Sequence, residues 1–251
     1  MGKEHIRKQK WKAGNMVYPI PAAMVSCGDR ERANIVTVGW TGTICTNPPM
    51  TYISLRPSRF SYDLIKESGY FVINLTTRSL VRATDFCGVK SGRDIDKFKA
   101  MNLTVIRDEE TGCPMIGESP VSIVCKTKEI KELGSHHMFI ADVLNVYIDE
   151  TYLDEKGKFH LNATDLIAYS HGSYLTLGEE LGSFGYSICK TKKKDMTNKI
   201  KNVSKPLQSN KLKDESVSTH KNKRKSQQNF DKNSSTKNKM KKAITHQKKK
   251  K

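Results

Sequence analysis

Between residues 22 and 75 the chain is a succession of short apolar runs broken by turn residues: AAMVSC, NIVTVGWTGTIC, TYISLR and YFVINL. Runs of this length, rich in β-branched and aromatic residues, form strands. Between the last two lies SRFSYDLIKESG, whose serine start, apolar positions three and four residues apart and closing Gly69 predict a short helix. A second helical segment, RSLVRATDFCG, follows, and the polar loop VKSGRDIDKFKAM leads back into strand-like LTVIRD. Farther on, VSIVCKTKEI and HHMFIADVLNVYID alternate apolar and polar residues, the pattern of strands with one solvated face. A parallel doubly wound sheet needs a helix of about a dozen residues or more between successive strands. Only one such insertion is present, so the order predicts a mainly β fold of mostly antiparallel strands, a barrel with small helices.

Charge shows where that fold ends. Residues 1–189 contain 22 Lys and Arg against 22 Asp and Glu, whereas residues 190–251 contain 22 against 4, which accounts for the whole net charge of +18. The folding part is therefore neutral, with no global field to attract an anionic polymer. The tail is Lys-, Asn-, Ser- and Gln-rich with Phe230 as its one aromatic, and such a segment cannot bury enough apolar surface to offset its ordering entropy. We expect a domain over 1–189 and a disordered tail over 190–251. The tail has the charge to contact nucleic acid or another polyanion weakly through counterion release, but lacks aromatic interleaving for base stacking.

The six cysteines, at 27, 45, 87, 113, 125 and 189, form no C-x-x-C pair, and a chain of this length needs no stapling, which favours reduced thiols over disulfides. The first residues lack the apolar run of a signal peptide, and no stretch approaches the ~18 consecutive apolar residues of a membrane span. The expectation is a cytoplasmic protein without membrane contact.

The common catalytic signatures are absent: no G-x-S-x-G, no H-E-x-x-H, no G-x-x-x-x-G-K-[ST], and no G-x-G-x-x-G after a strand. His136 and His137 are adjacent and point to opposite faces of a strand, so they cannot chelate one metal unaided, and no metal site is expected. What is present is polar density around one strand and its turn, from Asn34 through Trp40, Thr41, Gly42 and Thr43, followed by Arg56-Pro-Ser-Arg59-Phe-Ser61 before the first helix. Forked arginine donors, serine hydroxyls and the free N–H groups of a helix start have the composition of a phosphomonoester site. The same residues also suit a plain helix start, with Ser58 or Ser61 as the cap and both arginines solvated.

The blocks NIVTVGWTGTICTNPPMTYISLRPSRFSYDLIKESGYFVINL, FCGVKSGRDIDKF, GSHHMFIADV and IAYSHGSYLTLGEELGSFGYS resemble, in order, the flavin reductase-like FMN-binding split-barrel family and within it the flavoredoxin branch, over about residues 15–188. The resemblance implies a six-stranded antiparallel Greek-key split barrel, a homodimer with one FMN per subunit near the subunit interface. It would place Asn34, Trp40, Ser61, Lys97, His136 and Tyr169 around the isoalloxazine ring, with backbone groups of Thr41, Gly42 and Thr43 approaching it. Arg56, Ser58, Arg59, Ser91 and Gly92 are the candidates for the phosphate and ribityl chain. His136 is the one catalytic candidate, as a donor to the flavin or as a residue where a nicotinamide or protein donor approaches. Cys45 and Cys87, beside these segments, read as small buried hydrophobes. The implied activity is oxidoreduction through bound FMN, with NAD(P)H or a redox protein as electron donor. The alternative is a non-enzymatic FMN carrier shuttling electrons between proteins.

Overall fold

A computed structural model describes residues 7–188. Its elements are β1 (Ile20–Pro21), β2 (Ala23–Gly28), β3 (Ala33–Val38), β4 (Thr41–Thr46), β5 (Pro49–Leu55), α1 (Phe60–Ser68), β6 (Tyr70–Asn74), α2 (Val81–Val89), α3 (Lys97–Ala100), β7 (Val105–Arg107), β8 (Pro114–Ile116), β9 (Val121–Glu132), β10 (His137–Ile148), β11 (Ile167–Ser170) and β12 (Ser173–Thr176). The residues up to Ser183 form one compact unit; a second, Phe184–Lys251, is described only as far as residue 188. The Lys-rich tail, expected to be disordered, lies outside the described residues. Among the described residues no helix is long and apolar enough to cross a membrane.

The main sheet runs β3-β2-β6-β9-β10-β5-β4, every neighbouring pair antiparallel. Only Gly39 and Trp40 separate β3 from β4, yet the two lie at opposite edges of this order. One bent run thus joins both edges and rolls the sheet into a barrel, with Ser54 N–H donating to Trp40 O at 2.9 Å near the join. The bend divides the run NIVTVGWTGTIC in two, so the sheet shows seven strands where six were expected; counted as one run, β3 and β4 leave six. β1, β11 and β12 form a separate three-stranded sheet, and β7 pairs with β8.

Alternation along the strands builds two layers of core. Ala23, Val25 and Cys27 of β2, Val36 and Val38 of β3, Phe71 and Ile73 of β6, and Phe139 and Ala141 of β10 meet inside the barrel, joined by Tyr62, Leu64 and Ile65 from α1. The intervening residues face outward but are also covered: Met24 and Ile35 pack with Leu80, Ala83 and Cys87 of the α2 region and Phe98 of α3. Val72 and Val124 pack with Cys113 and Met115 near β8. Strands buried on both faces read as unbroken apolar runs, which is why AAMVSC and YFVINL lack the alternation of β9 and β10. α1 ends as its sequence predicts, with Gly69 in the left-handed region at φ 76° and its N–H on Ile65 O.

One polar side chain stitches these layers together. Asn74, fully buried, donates through Nδ2 to Met24 O and Ser26 Oγ, both at 2.9 Å, and accepts at Oδ1 from Ile116 N–H at 3.0 Å and Ser122 Oγ at 2.8 Å. It ties β6 to β2, β8 and β9.

Candidate functional site

Among the described residues a cavity of about 450 Å³ opens where β3, the turn from β5 into α1, and the loop from α2 to α3 converge. Asn34 and Val36 form one wall; Arg56, Ser58, Arg59, Phe60 and Ser61 form the second; Lys90, Ser91, Gly92, Arg93 and Lys97 form the third.

The helix-cap reading of the serines fails. Arg59 occupies the N-cap of α1 in an extended conformation and no side chain caps the helix. Ser61 Oγ instead accepts from Asn34 Nδ2 at 2.7 Å. Among the described residues the backbone N–H groups of Phe60 and Ser61 have no partner, while Arg59 N–H is taken by Arg56 O at 3.0 Å. The positive end of α1 therefore opens into the cavity, where an anion would satisfy it.

No carboxylate lines this space, and its five cations, Arg56, Arg59, Lys90, Arg93 and Lys97, make no ion pair among the described residues. Four of them are exposed, but Lys97 is only 3% accessible. Its Nζ donates to Ile35 O at 2.7 Å and Cys87 O at 2.8 Å, leaving one of three N–H donors. Asp96 fixes its position by accepting from Lys99 N–H at the start of α3. Burial pushes the Lys97 pKa below the ordinary lysine value, and nearby Arg59 adds to the effect. A buried cation without a counter-charge is a costly arrangement that an anionic ligand would relieve. Beneath it, burial raises Cys27 to about 12 and Cys87 to about 11, so both thiols stay protonated near neutrality. Cys87 is fully buried, as expected of a small hydrophobe; Cys45 is half-buried.

Gly92 is where the third wall meets the first. A Cβ there would overlap Asn34 Oδ1 and lie 2.8 Å from Phe60 Cδ1. Gly92→Ala is therefore expected to lower stability by about 1–3 kcal/mol through overpacking and to force the loop away from β3. Thermal denaturation checks this, and a variant as stable as the parent would contradict the close approach.

Eight of the residues expected at a site thus meet in one cavity: Asn34, Arg56, Ser58, Arg59, Ser61, Ser91, Gly92 and Lys97. Trp40, Thr41, Gly42, Thr43, His136 and Tyr169 do not line it. Trp40 and Tyr169 belong to an aromatic group centred on Tyr18, whose ring centroid lies 6.3 Å from Trp40, 6.4 Å from Tyr169 and 4.8 Å from His171. Thr41 Oγ1 donates to Tyr52 O and Gly42 O accepts from Thr51 Oγ1, which locks the start of β4 onto β5; Thr43 is exposed. His136 directly precedes β10, with Nδ1 3.0 Å from Ser135 Oγ. Burial and then the charges of Arg56 and Arg59 lower its pKa, and the register of β10 on β5, which pairs His137 with Leu55, brings its backbone alongside that of Arg56. Its neighbour His137 contacts Tyr62 OH at 2.8 Å through Nδ1. Sequence reasoning missed Val36, Phe60, Lys90 and Arg93 in the lining. The two cations were detectable, since they flank Ser91-Gly92 in the run KSGR.

A family model described as a flavin reductase like domain matches residues 15–178. The chain belongs to this family. Among solved structures it is similar to the flavoredoxin of Desulfovibrio vulgaris (Miyazaki F), with 32% identity and a TM-score of 0.67, over 73% of this chain and 100% of that one. A flavoredoxin from Methanosarcina acetivorans has 28% identity and a TM-score of 0.67 over the same shares. An FMN-binding protein from Thermus thermophilus, solved with bound 1-cyclohex-2-enone, has 26% identity and a TM-score of 0.59, over 71% of this chain and 98% of that one. The mainly β architecture of this flavin reductase-like chain, with its small helices, agrees with that membership.

Proposed function

We propose that this chain binds FMN and acts as an oxidoreductase that passes electrons from NAD(P)H or a protein donor to an acceptor. The observation that carries this reading is the cavity of five cations, none in an ion pair among the described residues, at the open start of α1, reached by the same strand that leads to the aromatic group. From Asn34 to Trp40 the chain spans at most roughly 20 Å, at about 3.3 Å per residue. That length suits a phosphorylated ribityl chain at one end and its tricyclic ring at the other. FMN, when bound, supplies a redox centre that accepts a hydride or single electrons.

The residues of this chain would bind, orient and shield it. Arg56 and Arg59, with the free N–H groups of Phe60 and Ser61, offer charge-assisted donors to the phosphate. Asn34, Ser61 and Lys97 share that cavity, which favours the phosphate and ribityl end for them over the ring assignment drawn from the family resemblance. Trp40 and Tyr169, grouped around Tyr18, offer apolar faces that shield the ring from water. His136, one position before the pairing of His137 with Leu55, is the candidate donor to the flavin, or stands where a nicotinamide or protein donor approaches. A homodimer with the ring near the subunit interface is part of this proposal, and sedimentation of the flavin-loaded chain tests it.

The deciding experiment is the absorption spectrum of the purified full chain, with its released flavin identified, followed by anaerobic addition of NADH and NADPH. A yellow protein that bleaches supports the enzyme. One that bleaches with neither nucleotide excludes NAD(P)H as the donor and favours electron transfer from a protein. A colourless protein that takes up no FMN overturns the proposal.

A further inference from the structure

Outside the cavity, four rings follow one another at short and regular spacing. Trp40, at the join of β3 and β4, lies 6.3 Å from Tyr18 between ring centroids; Tyr18 lies 6.4 Å from Tyr169, and Tyr169 lies 5.4 Å from Tyr174. The backbone sets this series. Ile20 of β1 pairs with Tyr169 of β11, and Tyr169 pairs with Tyr174 of β12, so the small sheet carries the last two rings and holds Tyr18, two positions before Ile20, against them. Gly39, the residue before Trp40, lets β1 reach the bend: a Cβ there would lie 2.5 Å from Ile20 Cδ1. At the Tyr174 end, the phenol donates to Asp85 Oδ1 on α2 at 3.2 Å.

Indoles and phenols are among the side chains most readily oxidised by one electron, and rings this close exchange an electron rapidly by tunnelling. A phenol that loses an electron becomes a strong acid, so the charge settles there only where a base takes the proton. Among the described residues the Trp40 indole and the phenols of Tyr18 and Tyr169 make no hydrogen bond, whereas Tyr174 faces a carboxylate. Burial and then Asp85 push the Tyr174 phenol up to about 12, so it carries its proton near neutrality and must release it on oxidation. Tyr18 and Tyr169 are therefore suited to bridge, and Tyr174 to hold the charge. Asp85 is exposed and Tyr174 half-buried, which puts this end within reach of small solutes.

We propose that Trp40, Tyr18, Tyr169 and Tyr174, ending on Asp85, form a charge-transfer path that carries an oxidising equivalent away from Trp40 to the surface and so protects the site from oxidation. The path rests on the FMN reading only for its oxidant, an oxygen-derived radical formed where dioxygen meets the reduced ring. Trp40 gives one electron to that radical, which leaves as its anion. An electron then passes from Tyr174 through Tyr169 and Tyr18 to the indole, and the Tyr174 phenol proton goes to Asp85. A thiol from solution gives a hydrogen atom to the phenoxyl oxygen of Tyr174 and leaves as a thiyl radical, while Asp85 returns its proton to water.

Pulse radiolysis of the full chain with the azide radical, a one-electron oxidant of indoles, tests the path without flavin chemistry. The chain has two tryptophans, and Trp11→Phe, at an exposed position, leaves Trp40 as the one indole. In that background the expected result is a first-order conversion of the indolyl radical into a tyrosyl radical, at a rate independent of protein concentration and slower in heavy water. Tyr18→Phe, Tyr169→Phe and Tyr174→Phe should each slow the conversion by at least tenfold, and Asp85→Asn by at least threefold with a changed heavy-water effect; circular dichroism verifies that each variant is folded. A parent rate in any of the phenylalanine variants or in Asp85→Asn, or a conversion that speeds up with protein concentration, overturns the path. FMN uptake is measured separately. A chain that takes up no FMN yet converts the radical as expected overturns the FMN reading and leaves the path standing; the reverse result overturns the path alone.

Discussion

Replacing Lys97 by methionine is expected to weaken FMN binding by roughly a hundredfold while changing the stability of the flavin-free chain by less than about 2 kcal/mol. The two effects separate because the ammonium plays opposite parts in the two states. Without a ligand it is a buried cation held only by Ile35 O and Cys87 O. Removing it orphans two carbonyls, a loss of roughly 1–3 kcal/mol each, but also relieves the desolvation that lowers its pKa. Methionine is close in volume, and exchanging a buried charge for a well-packed apolar side chain is often near neutral. With FMN bound as proposed, the same charge would face the flavin's anionic end, where a charge-assisted contact contributes about 1.5–3 kcal/mol. Flavin fluorescence titration and urea denaturation of the same variant measure both quantities. Binding within threefold of the parent would show that Lys97 does not sense the flavin.

The largest effect on stability is expected at Asn74, where Asn74→Ala should lower the unfolding free energy by about 4 kcal/mol. The side chain is fully buried and bonded to β2, β8 and β9. Truncation strands Ile116 N–H and Met24 O away from water and opens a void among packed strands, and both mechanisms carry large costs. Domains of this kind have about 5–15 kcal/mol to lose, so the variant should unfold at markedly lower urea concentration. A loss under 1 kcal/mol would mean that the layers hold together without this network.

Much of the fold was legible because burial leaves a periodic trace. β9 and β10 alternate along part of their length, and the end of α1 is marked by Gly69. α3 was not legible: it is four residues long, set in a polar loop, and defined by the Asp96 cap rather than by an apolar stripe. The division of NIVTVGWTGTIC was hidden as well, because the bend at Gly39 and Trp40 answers to closure of the barrel and not to local propensity. At the site, Arg56 to Ser61 announced themselves by composition. That they would meet Ser91, Gly92 and Lys97 could not be read from composition or periodicity, since only the packing of the α2–α3 loop against β3 unites them. Asn74 looked like the end of an apolar run. Nothing local distinguishes an asparagine that closes a strand from one that bonds three other strands.

The two faces of β3 carry different obligations. Asn34 and Val36 look onto the cavity, with Val36 and Val38 in the barrel core. Ile35 packs under α2, and Thr37 Oγ1 donates to Thr84 O on that helix. The strand therefore acts as a ruler with a reading frame. Any one residue along it can be exchanged for another of similar shape at modest cost, but adding or deleting a single residue would turn the cavity wall toward the helices and the helix-facing set into the cavity. Its length is thus under a stricter constraint than its composition, and a graft of this site onto another barrel has to transplant the whole interval from Asn34 to Trp40.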